Sequence, residues 1–373
     1  MAPQHPQGSL SVTLLAGPNR ALRTLVLDHL VEQARSKRVL VLTFDSQRQQ
    51  LDTTDSVRFR WVKSKQIQIS QAGFVVPFRA DLFLELNAIA QQGSTDEVIV
   101  ELADNVELPS ARDALVYRFP GGLYLGGIAR LARSIMVVQA VGLVEEFWEP
   151  GAGSESEATE DPHSETAYSR AHRLARSIEC ADALVVDRLA AAPETSGKVV
   201  RLLRGLNPTA AIVDARLDRL EADPLAGSID ERLWSVGAND APSRLETRRL
   251  ISDTDFTRVA IRAGRPFQPQ RFYQFVQGAW KGVLRGRGRV RIASQPDTWR
   301  LWSQAGAVGV LGPKMVAAQK ADATDWLQDM TFVGPQEACV KACLRLEQCL
   351  LTDEEFDLGA RLWRSFVDPL REG

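Results

Sequence analysis

The sequence is poor in most of the residues that advertise a compartment or a chemistry. Cys180, Cys339, Cys343 and Cys349 are the only cysteines in 373 residues, too few and too clustered to staple a chain of this length by disulfides, which points to a reducing compartment. No apolar run approaches the roughly 18 uninterrupted residues that a membrane-spanning helix needs. The opening stretch MAPQHPQGSLSVTLL has no basic segment leading into a long apolar run and a small-residue cleavage site, so no secretory signal is expected. Neither sign of charge prevails: 45 Lys and Arg against 47 Asp and Glu leave a formal net charge of -2, and the molecule as a whole does not advertise a nucleic-acid partner. Histidine is scarce, and His5, His29 and His172 lack the spacing that would pair them as metal ligands. The expectation left standing is a cytoplasmic globular protein with no membrane partner.

What is present fits two domains. Hydrophobic residues make up 45% and charged residues 25%, the balance of an ordinary globular chain, and the length exceeds what one core usually serves. Ser11 to Ala16 reads as a buried strand, followed by a turn-prone Gly-Pro-Asn and a helical pattern from Leu22 to Ala34. Short β-branched runs recur at 38–44, 97–101, 134–140, 183–186 and 211–213, separated by helical patterns. Apolar strands alternating with helices predict an α/β domain, a mostly parallel sheet with helices on both faces, over residues 8–235. Within it, residues 149–166 are rich in Gly, Ser, Pro and acid and lack apolar periodicity, so a mobile surface loop is expected there. Turn formers cluster near 236–243, giving a linker over 236–249 and a smaller α+β domain over 250–370.

The first turn of the first domain carries the candidate chemistry. A working phosphate loop, G-x-x-x-x-G-K-[ST], uses glycines to bring backbone N–H groups to the phosphates, a lysine to reach the outer phosphates and a hydroxyl to hold magnesium. The matching stretch is Gly17-Pro18-Asn19-Arg20-Ala21-Leu22-Arg23-Thr24. Gly17 and Thr24 remain, but Leu22 replaces the second glycine and Arg23 the lysine. Leucine disfavours the backbone angles that glycine accepts, and the planar guanidinium is no point-charge ammonium. Alone, the stretch is better read as a helix start that only packs.

Three segments of the C-terminal half, Arg265-Pro266-Phe267-Gln268-Pro269-Gln270-Arg271-Phe272, Trp302-Ser303-Gln304-Ala305-Gly306 and Cys349-Leu350-Leu351-Thr352-Asp353-Glu354-Glu355-Phe356, stand in an order that resembles the C-terminal domain of the CobW family of GTPases and metallochaperones. The resemblance extends through Leu206-Asn207-Pro208-Thr209-Ala210-Ala211-Ile212-Val213 back to the Gly17 loop. It implies a P-loop NTPase-like domain followed by a smaller α+β domain, with roles in metal delivery, metalloenzyme activation or zinc-starvation responses. The family's Cys-x-Cys-Cys metal site falls on Gly73, Val75 and Val76, which offer no lone pair to a metal. Its guanine-reading motif falls on Asp187-Arg188-Leu189-Ala190, where Ala190 replaces the carboxylate that accepts the guanine N–H groups. Its switch segment falls on Glu101-Leu102-Ala103-Asp104, which keeps the acid and loses the glycine. The resemblance therefore implies a pseudo-GTPase, a protein-binding or regulatory module of zinc or cobalt homeostasis or metalloenzyme maturation that acts on a client protein. No catalytic or metal-binding residue is assigned and no cofactor is expected as certain. Any residual binding of GTP and magnesium would run through a vestigial site of Gly17, Arg23, Thr24, Glu101, Asp187 and Arg188.

Three further features stand apart from that reading. Cys339 and Cys343 share one face of a predicted helix, a spacing that can put two donors on one metal, against the plainer reading of buried structural thiols. His163 lies in the acidic stretch, where a weak surface metal contact is conceivable. Between Arg258 and Pro296 no acid interrupts a basic series that includes Arg265, Arg271, Lys281, Arg285, Arg287, Arg289 and Arg291. Interleaved aromatics make a partner-binding surface for RNA or a ribosome the alternative function. The plainer reading makes the aromatics core and the arginines a solvated face.

Overall fold

The computed structural model describes residues 10–34, 37–44, 57–61, 76–103, 106–116, 124–125, 128–148, 170–187, 192–215, 246–252, 256–278, 280, 282–306, 308–312, 314–316 and 328–371. The chain divides into two compact units, one of residues 1–143, 176–196 and 209–229 and the other of 144–175, 197–208 and 230–373.

In the first unit β1 (Leu10–Ala16), β2 (Val39–Thr43), β3 (Val57–Trp61), β4 (Glu97–Glu101), β5 (Ala129–Gln139), β6 (Ala183–Asp187) and β7 (Ala211–Asp214) make one sheet. Their order is β3-β2-β4-β1-β5-β6-β7, and every neighbouring pair runs parallel. Central strands such as β1, β2 and β4 are buried on both faces, which is why they read as nearly unbroken apolar runs. Right-handed crossovers put a helix leading outward from β1 to β2 on the opposite face from one leading back past β1 to β5. The first is α1 (Arg20–Gln33), and the second is α3 (Leu108–Val116), which follows α2 (Val76–Gln92). Val26, Leu27 and Leu30 of α1 join Leu15, Val41, Ile99 and Val137 in one cluster, while α3 lies against β1 and β5. The expected α/β architecture is present. The sequence reading missed β3, whose Val57-Arg58-Phe59-Arg60-Trp61 alternates cations with apolar residues as an edge strand does.

Three more helices follow in sequence, α4 (Leu143–Trp148), α5 (Arg170–Cys180) and α6 (Pro193–Leu206). The acidic stretch 149–166 lies outside the described residues.

The second unit holds an antiparallel sheet of β8 (Glu246–Ser252), β9 (Thr257–Ala263), β10 (Arg285–Val290), β11 (Thr298–Ala305), β12 (Val308–Leu311), β13 (Met315–Val316) and β14 (Gln328–Gly334). The order is β12-β11-β10-β14-β9-β8, with β13 on β11. Its helices are α7 (Pro269–Val276), α8 (Gln336–Glu347), α9 (Asp353–Asp357) and α10 (Gly359–Trp363). Strand β8 begins inside the stretch expected as linker, whose first part, 236–245, lies outside the described residues. The core gathers Phe267, Phe272, Phe275, Trp280, Trp302 and Phe332 around Cys339, Cys343 and Cys349. Glycine is obligatory in the Arg-Gly-Arg-Gly-Arg run of β10: a Cβ on Gly286 would stand 2.6 Å from the Trp302 ring, and one on Gly288 would stand 2.1 Å from the Asp329 carbonyl oxygen.

Candidate functional site

In an open α/β sheet, ligands bind outside the carboxyl ends of the strands, near the place where the strand order reverses. Here the parallel register aligns those ends: Glu101 of β4 stands beside Leu15 of β1 and Thr43 of β2, and Gln139 of β5 beside Asp187 of β6. Gly17 leaves β1 at φ 144°, and a Cβ there would lie 2.4 Å from the Val137 carbonyl oxygen. Only glycine can follow the strand at this point.

The loop after Gly17 is much shorter than a phosphate cradle. The sequence predicts a helix from Leu22, but α1 already begins at Arg20, so Pro18 and Asn19 alone separate it from Gly17. Asn19 is the physical reason. Its extended backbone and side-chain oxygen cap the helix, accepting from the Leu22 N–H at 3.1 Å, while its carbonyl accepts from the Arg23 N–H at 3.0 Å. A phosphate loop holds these positions open so that their amides converge on the anion. Here they are wound into the first turn, and the amides of Leu22 and Arg23 are already bonded.

Arg23 fills the remaining space. Its side chain has no solvent exposure; Nη1 donates to the Gly17 carbonyl, and Nε lies 3.5 Å from Oε1 of Glu101. Glu101 is equally buried, and its Oε2 accepts from Thr43 Oγ1 at 2.9 Å. The guanidinium therefore bridges the loop after β1 and the end of β4, so two charges that could not be buried singly are buried together. Thr24, expected to face a magnesium ion, donates its hydroxyl to the Arg20 carbonyl at 3.0 Å, one helical turn back.

The structure thus brings together Gly17, Arg23 and Glu101 of the expected site. Asp187, half-buried at the end of β6, is separated from β1 by β5. Arg188, Ala190 and Asp104 lie outside the described residues, as do Gly73 and Val75, while Val76 opens α2. Asn19, Thr43 and Gln139 were not among the expected site residues, and Gln139 accepts from Asn19 Nδ2 at 3.5 Å. An asparagine directly before an apolar-periodic run was the available helix-start signal.

Cys339 and Cys343 do share a face of α8, but it is the buried face. Burial pushes the Cys339 thiol up to about 12, Cys343 to about 11 and Cys349 to about 12, whereas a metal takes the thiolate. Among the described residues no group of three or more His, Cys, Asp or Glu side chains could hold a metal. His163 lies outside them, and His172 is buried with Nε2 3.1 Å from the Ser303 carbonyl oxygen.

The basic series is largely occupied by the fold. Arg265 pairs with Asp353 at 2.6 Å and lies 4.9 Å over the Phe356 ring. Arg271 grips both carboxylate oxygens of Glu355, at 2.9 and 2.6 Å. Arg285 and Arg291 are buried rather than turned to solvent, Arg285 donating to Ser303 Oγ and to the Gln304 carbonyl. Alternation along the strand puts arginines on one face of β10 and the core glycines on the other. Arg287 and Arg289 are half-buried, Arg289 lying 5.9 Å over the Trp299 ring. Lys281 lies outside the described residues. An open cationic row is therefore not what these arginines build.

Residues 256–350 match the family model of the cobalamin synthesis protein cobW C-terminal domain. The chain is 21% identical to the "Zinc-regulated GTPase metalloprotein activator 1" of Dictyostelium discoideum, with 97% of this chain and 84% of that protein aligned. It is 27% identical to "Zinc chaperone Rv0106" of Mycobacterium tuberculosis over 78% of this chain and 75% of that protein. Among solved structures, the Zn(II)-bound YjiA GTPase from E. coli aligns over 91% of this chain and 99% of that chain, at 13% identity and a TM-score of 0.41.

Proposed function

Because the chain belongs to the CobW family, we propose that it serves metal homeostasis as a protein-binding or regulatory module whose phosphate loop no longer cycles GTP. The first half of the proposal is supported by relatives named for zinc delivery and metalloprotein activation, aligned over most of the chain. The second half is carried by one observation. Arg23, standing where the phosphate-binding lysine should be, is bonded to Gly17 and Glu101 inside the protein. A nucleotide entering this site would have to expel that guanidinium, leave Glu101 buried without it and unwind the first turn of α1. Each step is unfavourable, and the Leu22 and Arg23 amides, which such a loop would turn to the phosphates, are already bonded to Asn19.

Two experiments test the reading. Isothermal titration of the full chain with GTP and magnesium is expected to give no saturable heat at millimolar nucleotide; micromolar binding with turnover overturns the proposal. In the native host, loss of the gene is expected to impair growth under zinc chelation, and a Thr24→Ala copy is expected to restore it as well as the unaltered copy. In this reading the hydroxyl of Thr24 bonds the Arg20 carbonyl of its own helix and has no phosphate chemistry to perform. A stably produced Thr24→Ala protein that fails to complement shows that phosphate chemistry is still in use.

A further inference from the structure

The Arg23–Glu101 pair does more than fill space. We infer that Arg23 is a positioning residue that takes the place of a ligand, holding the segment after β4 in a single ligand-independent arrangement. The inference rests on the closed phosphate loop proposed above. Glu101 is the last residue of β4, and the chain that follows it leads through Leu102 and Val106 to α3. Four contacts hold this exit. The Glu101 side chain is held from one side by Arg23 and from the other by Thr43. Its carbonyl accepts from the Phe44 N–H at 3.0 Å, and the next amide, Leu102 N–H, donates to the Leu15 carbonyl at 2.9 Å. Arg23 alone among these groups comes from the phosphate loop, so it couples the loop to the exit of β4. In a protein that senses nucleotide, a bound phosphate and its metal supply such a coupling and withdraw it on release. Here the coupling is a side chain of the protein itself, so it cannot leave.

The consequence is local and measurable by hydrogen–deuterium exchange on the full chain. Arg23→Met is expected to raise exchange over Leu102 to Val116 by at least about tenfold, because a local opening then no longer has to break the pair. Peptides covering β6 are expected to stay unchanged. Glu101→Gln is expected to raise exchange over the same residues, and combining it with Arg23→Met is expected to add nothing further, since both remove one contact. Arg23→Lys, which keeps the charge but cannot reach both Gly17 and Glu101 with a fork, is expected to fall between the unaltered protein and Arg23→Met, and it serves where the methionine variant does not fold. If Arg23→Met and Arg23→Lys leave Leu102 to Val116 at the unaltered rate, or accelerate exchange evenly throughout the molecule, the positioning role is overturned. Adding GTP and magnesium to the unaltered protein is expected to change nothing in this segment. A nucleotide-dependent change there refutes the closed loop instead, so the two failures are told apart.

Discussion

Arg23 and Glu101 show how one substitution can alter a site more than a deletion does. Lysine in the same place presents a single ammonium that a phosphate can claim, whereas the guanidinium has donors enough to satisfy the Gly17 carbonyl and a carboxylate together. Removing either partner of a buried pair strands the other, so Arg23→Met should lower unfolding free energy by about 3–5 kcal/mol, while Arg23→Met with Glu101→Leu should recover much of the loss. Urea denaturation of the four proteins measures this, and additive losses would mean the two side chains do not interact. The core cysteines offer a second residue-scale expectation. With their thiols pushed up to between about 11 and about 12, Cys339, Cys343 and Cys349 should resist alkylation at pH 8 in the native protein and react fully in denaturant, as mass spectrometry of labelled peptides would reveal.

At the scale of elements, the strands were legible and the helix starts were not. Six of the first unit's strands, from β1 to β7 with β3 excepted, coincide with apolar runs, the central β1, β2 and β4 because both of their faces are covered. The start of α1 was less legible because Asn19, its cap, stands inside the stretch that matches the phosphate-loop pattern. Asn19→Ala should cost about 1 kcal/mol of stability, read from the thermal or urea midpoint; no change at all would argue that the cap bond is not formed. The motifs that carried the family resemblance prove to be structural fastenings. The Arg265 to Phe272 segment is tied to the Cys349 to Phe356 segment through the Gln268 N–H to Cys349 carbonyl bond, the Leu351 N–H to Pro266 carbonyl bond, and the pairs Arg265–Asp353 and Arg271–Glu355. Thr352 and Glu355 then close a reciprocal cap on α9. Sequence can place such arginines in a series, but it cannot tell that their acids lie some eighty residues away and answer them one by one. For that reason the candidate nucleic-acid surface read from the sequence turned out to be mostly internal bracing.

Across the whole molecule, ion pairs of this kind set the response to acid. The Arg38 guanidinium holds the Asp96 carboxyl at about 2 instead of 3.8, and Arg271 holds Glu355 below its ordinary value. A carboxyl lowered on folding stabilises the native state above its unfolded value and loses that contribution as pH falls toward its folded value. Stability should therefore decline as pH drops from about 4 toward about 2, and Arg38→Ala and Arg271→Ala should each flatten the decline. Asp329, which burial pushes up, works in the opposite sense at pH above its ordinary value, where stability falls as pH rises toward its folded value. Urea midpoints recorded across the acid range check the sign.

The division of aromatic residues between the units has an optical consequence. Trp61 is the single tryptophan in the sequence of the first unit, while the other seven fall in the sequence of the second, Trp280 and Trp302 lying 5.5 Å apart in its core. Intrinsic fluorescence of this protein is therefore weighted toward the second unit and its antiparallel sheet. A flat emission trace during a nucleotide titration would report where the fluorophores are, and a tryptophan introduced at Leu25, exposed on α1, would give the other half of the molecule a voice.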